Sequence, residues 1–587
     1  MNKQSSIRGI NNKQKEAPMK RTLLLVFSLA LVALFFAPSG VSAQTPDTLV
    51  LPANPGGTTF DLAIKADPGW GVNPKRVYVL QQTGSLDTVY FVSANFNVTK
   101  NLTIIGKPNP VTGMLPIIAP GFDASGASPT RLFQPNVTGV KLTVKNVYMS
   151  EKNLNGVVTT TGFGSIYVTG DSVTLTLDHC VLDGNGPASF IYLNAKWDKT
   201  FITNTELRNC QNPTVAGGFV HAGGAVPMDT MLIQNCTMFC NNGNLVSGPG
   251  YRNYLNFQHN TVFFGGNGLT PTGITNAVIR NNIFYSLAFR GADTNSYAKQ
   301  TYEGSYTGNS VIGLDSLTAT ITGSPYNMKE ASRNIRIENN AYFWPPALYS
   351  YVASLKTDTG TTVVPPVWMN KRVTSMFSNK TQWPLCVAIN NQNTDPGFNS
   401  ALVNLIVDSA KVYVNNLYHG GSSSLLWGPY RDDPLSIYLI PGHTVPSNWA
   451  KTQGYPVPEN LRYTNTALQH GGTDGKALGD LNWFPEQGVT AVEQPTGTLP
   501  TEYALSNNYP NPFNPTTQIE YAVPKNGLVT LKVYNVLGQN VATLFSGMRA
   551  PGQFVATFDG TRLTSGVYFY TLEAGGVTIS KKLMLLK

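Results

Sequence analysis

One short phrase recurs between Lys141 and Tyr342: apolar, polar, apolar, polar, then Asn or His. It is clearest in Leu142-Thr-Val-Lys-Asn146, Leu175-Thr-Leu-Asp-His179 and Leu255-Asn-Phe-Gln-His259. Looser copies end at Asn204, Asn235, Asn281 and Asn339, and successive copies lie 33, 25, 31, 24, 22 and 58 residues apart. Alternation over five residues is strand periodicity with one buried face. A strand-sized unit returning at such a period marks a solenoid, each copy forming one rung of a parallel sheet about 4.8 Å above the last. The Asn or His falls where the strand must turn, and Asn accepts left-handed backbone angles with little strain. Stacked amides there can also bond one another down the column. The pattern predicts a right-handed parallel β-helix whose inward file is Val144, Leu177, Ile202, Ile233, Phe257, Ile279 and Ile337.

A chain of 587 residues exceeds one ordinary core. Lys20-Arg21, an apolar run from Leu23 to Ala37 and Val41-Ser-Ala43 have the layout of a secretory signal peptide over residues 1–43. Met19 would give a signal of ordinary length, and the mature protein would begin near Gln44. Residues 44–140 read as an N-terminal cap and first coils, with Asp61–Lys65 as a short capping helix. Residues 141–342 read as the β-helix core and 343–487 as last coils and a C-terminal cap. The Pro/Thr/Gly-rich stretch 488–502 reads as a linker. The insertion behind the 58-residue spacing carries Tyr297, Tyr302, Tyr306 and Tyr326, and long loops on a rigid stack often bind ligands.

The net charge of +9 is concentrated before the apolar run, where six basic groups face one acid in residues 1–21. No Lys/Arg stripe follows, which excludes a nucleic-acid partner. Five cysteines have no metal-ligand spacing; Cys180 and Cys236 read as small buried side chains, and Cys210 and Cys240 have offsets that would suit a disulfide.

Residues 503–587 alternate through six or seven short strands separated by turn signals such as Lys525-Asn-Gly527 and Asp559-Gly560, the pattern of a small Ig-like antiparallel β-sandwich. Within them stand Tyr509-Pro510-Asn511-Pro512-Phe513-Asn514-Pro515, Val533-Tyr-Asn-Val-Leu-Gly538-Gln, Ser565-Gly566-Val-Tyr568 and a terminal run containing Lys581-Lys582. These motifs closely resemble the C-terminal (type A) sorting domain of the type IX secretion system of certain Gram-negative bacteria. The resemblance implies export to the periplasm, recognition by the outer-membrane translocon, and a secreted or outer-membrane-surface location. It also implies removal of the domain, with release of the cargo or its attachment to lipopolysaccharide. The solenoid in turn resembles the pectate-lyase-like β-helix superfamily, which by itself implies no reaction.

The position before each turn residue reads as an outward column: Lys145, Asp178, Thr203, Gln234, Gln258, Arg280 and Glu338. A polysaccharide lyase would need a basic group to abstract a proton and Ca²⁺ or a cation to neutralise a uronate. Asp178, Arg280 and Glu338 are the candidates for such a groove, with Arg280 as base and Ca²⁺ entering only under this reading. No metal site and no other cofactor is evident. Arg280 and Glu338 on neighbouring rungs read equally as an ordinary ion pair. Asp432-Asp433, His221 and His443 lack the partners a hydrolase requires, and the turn residues His179 and His259 read as structural. Three functions therefore stand open: a non-catalytic glycan-binding or adhesive surface protein, a lyase acting on acidic polysaccharide, and a structural component of the cell envelope.

Overall fold

The recurring phrase forms the rungs of an eleven-stranded parallel sheet, sheet 1, which runs from Thr48–Leu51 to Val387–Ile389. These observations come from a computed structural model describing residues 47–487 and 502–587, apart from internal stretches of which 152–163, 294–309, 318–329 and 420–459 are the longest. The chain divides into Met1–Pro46 and Asp47–Lys587. The signal-peptide reading, linker residues 488–501 and the tyrosines Tyr297, Tyr302, Tyr306 and Tyr326 lie outside the described residues.

Each turn of the chain passes from sheet 1 to a ten-stranded sheet 2 and, through the middle of the column, a six-stranded sheet 3. One such turn uses Lys141–Lys145, Tyr148–Ser150 and Ile166–Val168 before sheet 1 resumes at Thr174–Asp178. The register is continuous. Val144 faces Leu177, then Ile202, Ile233, Phe257, Ile279 and Ile337 follow one rung at a time. All seven are fully buried in one apolar cluster. The fold is a parallel β-helix with an apolar bore, followed by a small antiparallel sandwich.

Asn146, His179, Asn204, Asn235, His259, Asn281 and Asn339 have φ between 49° and 58°. Left-handed backbone costs an ordinary L-residue roughly 1–2 kcal/mol, and Asn bears it most easily. Within this column Asn281 Nδ2 meets His259 Nε2 at 3.1 Å, and a file that bonds continuously from rung to rung lies one residue further on. There Asn260 Nδ2 donates to Asn282 Oδ1 (3.1 Å), Asn282 Nδ2 to Asn340 Oδ1 (2.8 Å) and Asn340 Nδ2 to Asn391 Oδ1 (2.8 Å). The same oxygens accept the backbone N–H of the preceding rung, and the amide nitrogens also reach the Ile233, Phe257, Ile279 and Ile337 carbonyls. Nearer the N-terminus this file holds Cys180, Thr205 and Cys236, whose smaller side chains make part of the same set.

A helix, α1 (Phe60–Ala66), packs Phe60 against Phe96 and Phe133 near the first rungs. Residues 343–487 carry the last rungs, Val387–Ile389 on sheet 1 and Gln392–Asn393 on sheet 2, together with helices. They contain α2 (Pro346–Ser354), α3 (Lys371–Ser378) and the 19-residue α4 (Ser400–Tyr418), which starts at an Asn399 side-chain cap. Helices α2 and α4 lie over the outer face of sheet 2, making a second apolar cluster outside the bore. Phe239, Phe263 and Tyr285 stack face to face there on successive rungs at 5.5 and 5.2 Å, with Phe398 edge-on at 5.0 Å. This explains why strands such as Thr261–Gly265 are buried on both faces.

None of the five cysteines is in a disulfide. The bridge considered between Cys210 and Cys240 does not form, because Cys210 belongs to the bore and Cys240 to the outer cluster across the wall of sheet 2.

The sandwich comprises a three-stranded sheet (Ala504–Leu505, Thr516–Val523, Gly552–Asp559) against a four-stranded one (Asn540–Arg549, Gly527–Tyr534, Gly566–Ala574, Val577–Leu585). Its core includes Phe513, Ile519, Tyr521, Leu531, Val533, Phe558, Tyr570 and Leu583.

Candidate functional site

The outward column of sheet 1 is present in register, but it does not bring Asp178 together with Arg280 and Glu338. Asp178 and Arg280 are separated by Thr203, Gln234 and Gln258. Four rung steps place them about 19 Å apart, too far to act on one glycosidic bond. Asp178 is instead enclosed by its neighbours: Lys145 Nζ at 3.3 Å, Thr203 Oγ1 at 2.8 Å, Asn204 Nδ2 at 2.9 Å and His179 Nδ1 at 3.0 Å. Burial opposes its ionisation, yet the hydrogen bonds and the His179 charge outweigh it and hold the carboxyl well below the usual range. Arg280 Nε donates to Gln258 Oε1 (2.9 Å), and Gln258 Nε2 passes the chain on to Gln234 Oε1 (2.9 Å). Glu338, beside Arg280 in the register, forms an ion pair with Arg336 of its own strand. Among the described residues, no three His, Cys, Asp or Glu side chains are grouped to ligate a metal ion. Asp432, Asp433 and His443 lie outside the described residues. His221 is buried on sheet 3, where Nδ1 meets Ser247 Oγ at 2.8 Å and its ring lies 4.8 Å from Tyr192.

The more promising concavity lies at the corner between sheets 1 and 2. A strap, residues 471–483, runs back along the turn column and locks onto it. Asn281 exchanges bonds with Thr473 (3.0 Å each way), and His259 Nε2 meets Asp474 Oδ2 at 3.1 Å. Asp480 accepts from Thr237 Oγ1 (2.8 Å), Trp483 Nε1 donates to the same hydroxyl (2.8 Å), and Asn482 Nδ2 donates to the Asn235 carbonyl (3.1 Å). Gly479 lets the strap approach this closely. Its φ is +80°, and a Cβ there would stand 2.5 Å from Thr261 Oγ1.

The strap ends at a cleft of about 350 Å³. Asp480, Asn482 and Trp483 line it from the strap, Pro108 and Leu115 from an N-terminal loop, and His179, Asn204 and Glu206 from the rungs. The two turn histidines thus part company. The His259 side chain is 4% exposed and held by the strap, whereas that of His179 is 53% exposed and faces the cleft. Sequence reasoning missed Asp480 and Trp483, because partners more than 200 residues away leave no local periodicity.

Burial pushes the Asp480 carboxyl up to about 7, against the downward pull of the Asn482 and Thr237 bonds and of His179. A free aspartate titrates near about 3.9, so between these values the native state holds the extra proton. The Asp480 contribution to stability is therefore present below about pH 4 and is lost as pH rises through about 7. Asp480→Asn removes that loss. Plotted against pH, the melting temperature of the variant should fall less steeply than that of wild type between about pH 4 and about pH 7; parallel slopes would contradict the assignment.

In the sandwich, Phe513 plugs the core while Tyr509 stands 82% exposed. Peptides Tyr509-Pro510, Asn511-Pro512 and Asn514-Pro515 are cis. Gly538 and Gly566 both take positive φ, of 76° and 158°. Tyr568 donates its hydroxyl to the Thr564 carbonyl (2.8 Å), and Lys581 Nζ reaches Asn507 Oδ1 (2.9 Å) beside the exposed Lys582.

No characterised protein and no solved structure matches the chain. Residues 507–586 match the family model of the secretion system C-terminal sorting domain. The sandwich is thus a type IX secretion sorting domain, and the chain that carries it is a secreted or cell-surface protein that engages the type IX machinery.

Proposed function

We propose that this is a carbohydrate-associated β-helix protein working outside the cell, with the corner cleft as its saccharide site. The composition of that cleft carries the reading. Its volume of about 350 Å³ falls at the lower end of the roughly 300–1,000 Å³ typical of small-ligand sites. An indole ring offers an apolar face to sugar C–H groups. Around it Asn204, Asn482, His179 and Glu206 offer the mixed donors and acceptors that sugar hydroxyls require. Polysaccharide is then the partner, and lipopolysaccharide attachment after tail removal belongs to the same proposal through the family resemblance.

A glycan array probed with the exported protein tests it. Binding to a saccharide class should weaken roughly tenfold in Trp483→Ala, as expected for losing an aromatic contact worth about 0.5–1.5 kcal/mol beyond its buried area. A blank array over neutral and acidic glycans would contradict the proposal. Release of unsaturated uronates by the same protein would replace simple binding with lyase action.

A further inference from the structure

Sheet 1 ends at each pole of the column in a strand paired on one side only, Thr48–Leu51 at one pole and Val387–Ile389 at the other. Its outward column runs unbroken between them, from Val50 through Val79, Ile105 and Lys145 to Glu338 and Ile389, ten rung steps in all. From Lys145 to Glu338 that column is polar, whereas its two end members are apolar and half in water: Val50 is 46% and Ile389 47% exposed. The inward file ends in the same way, with Leu49 and Ala388 only partly buried. The bore itself is plugged, because Phe60 and Ile64 of α1 and Val373 and Met376 of α3 belong to its apolar cluster. The plugs leave the edges of sheet 1 open, and Thr48 and Asn390 are exposed there as well.

The two edges also complement each other as hydrogen-bonding surfaces. On successive rungs the turn residue donates its N–H to the carbonyl of the column residue one rung on, ending with Asn281 to Glu338 (3.2 Å) and Asn339 to Ile389 (3.1 Å). The next such donor is Asn390, and among the described residues no further rung follows it. In a parallel ladder, residues that bond to one neighbouring strand alternate with residues that face the other side. The Asp47 carbonyl accepts from Val77 N (2.7 Å), so Asp47 and Leu49 serve the second rung, and Thr48 and Val50 turn their N–H and C=O groups away from it. A second column set one rung beyond Ile389 would offer the Val50 carbonyl to Asn390 N–H and Val50 N–H to the Ala388 carbonyl. It would also lay Val50 over Ile389 and Leu49 over Ala388. A sheet that is parallel throughout has edges of opposite kind, so in parallel register each pole fits the other and neither fits itself. Half-exposed apolar side chains beside unpaired strand groups are the makings of strand addition.

We propose that the Val387–Ile389 edge takes the Thr48–Leu51 edge of a second copy of this chain, so that copies stack head to tail into rods with a continuous sheet 1. Such a contact does not close on itself, and the assembly is open-ended. The test uses the purified full chain carrying Val50→Cys with Ile389→Cys. Within one molecule the two positions lie the whole column apart, about 48 Å, but across the junction they lie about 4.8 Å apart, within reach of a disulfide. All five native cysteines are buried. Mild oxidation should link the double variant into a ladder of dimers, trimers and longer species, whereas a mixture of the two single variants should stop at the heterodimer. Gln258→Cys with Ile389→Cys, which keeps one label in the middle of the column, should give no ladder. In sedimentation the wild type should gain mass as its concentration rises. Val50→Lys with Ile389→Lys sets two like charges against each other and should stay monomeric with an unchanged far-UV spectrum. A folded Val50→Cys, Ile389→Cys chain that forms no ladder, or an equal ladder from the Gln258 control, overturns the proposal. So does a wild type that stays monomeric at every concentration. Single variants that link to themselves as readily as to each other would reveal a symmetric contact and overturn it too.

Discussion

Deleting residues 502–587 should leave the β-helix folded and confine it to the periplasm, with extracellular protein falling to background. The sandwich has its own seven strands and its own core, so its loss exposes no apolar surface of the helix bore, whose cluster is built from residues 51–386. Melting temperature and far-UV spectrum of the truncated protein should therefore resemble those of the β-helix portion of the full chain. The measurement is fractionation of cells expressing the truncated and full-length chains, read by immunoblot. Truncated protein in the medium at wild-type levels would show that the tail is no address. Truncated protein degraded in the periplasm would show that the two parts fold together.

The second large effect concerns the amide file. Asn282 receives the Asn260 backbone N–H (2.9 Å) and side-chain amide (3.1 Å), and donates to the Phe257 carbonyl (2.9 Å) and to Asn340 Oδ1 (2.8 Å). It is fully buried. Asn282→Ala leaves several buried groups unsatisfied, each costing about 1–3 kcal/mol, and the loss should total about 3–5 kcal/mol after relaxation. Asn282→Thr should lose less. Thr205 holds the same file three rungs earlier, and its hydroxyl there accepts the Cys180 backbone N–H at 3.2 Å. Chemical denaturation of the three proteins should rank them Asn, Thr, Ala in falling stability. A Thr variant no better than Ala would mean that packing, not the relayed hydrogen bonds, holds this corner.

Much of this architecture is visible in the residues themselves. Alternation in Leu142–Asn146 and its copies specifies the inward file, because a strand shows only every second residue to the bore. The continuously bonded file lies one residue past the turn column, in which Asn281 and His259 also bond. Its visible signal is the doublets Asn281-Asn282, Asn339-Asn340 and Asn390-Asn391, in which the first residue takes the left-handed turn and the second faces inward to bond. Helix α4 was hidden by its own composition. Val403, Ile406, Val407, Val412 and Val414 favour strands locally, yet Val403, Ile406, Val407, Ala410, Tyr413 and Val414 fall on one buried helical face behind the Asn399 cap. The corner cleft was illegible for a different reason. Trp483 and Asp480 acquire their setting only from Thr237 and Thr261, on rungs more than 200 residues earlier. Asp178, Arg280 and Glu338 were conspicuous as charges, but the rung spacing assigns Asp178 and Arg280 to separate local networks.

The winding itself can be measured with a ruler of spin labels along the outward column. Lys145→Cys, paired in turn with Gln258→Cys, Arg280→Cys and Ile389→Cys, samples four, five and seven rung steps. Pulsed EPR should give label separations near about 19, about 24 and about 34 Å, increasing with rung number at about 4.8 Å per step. Separations that fail to increase in that order would contradict a parallel β-helix.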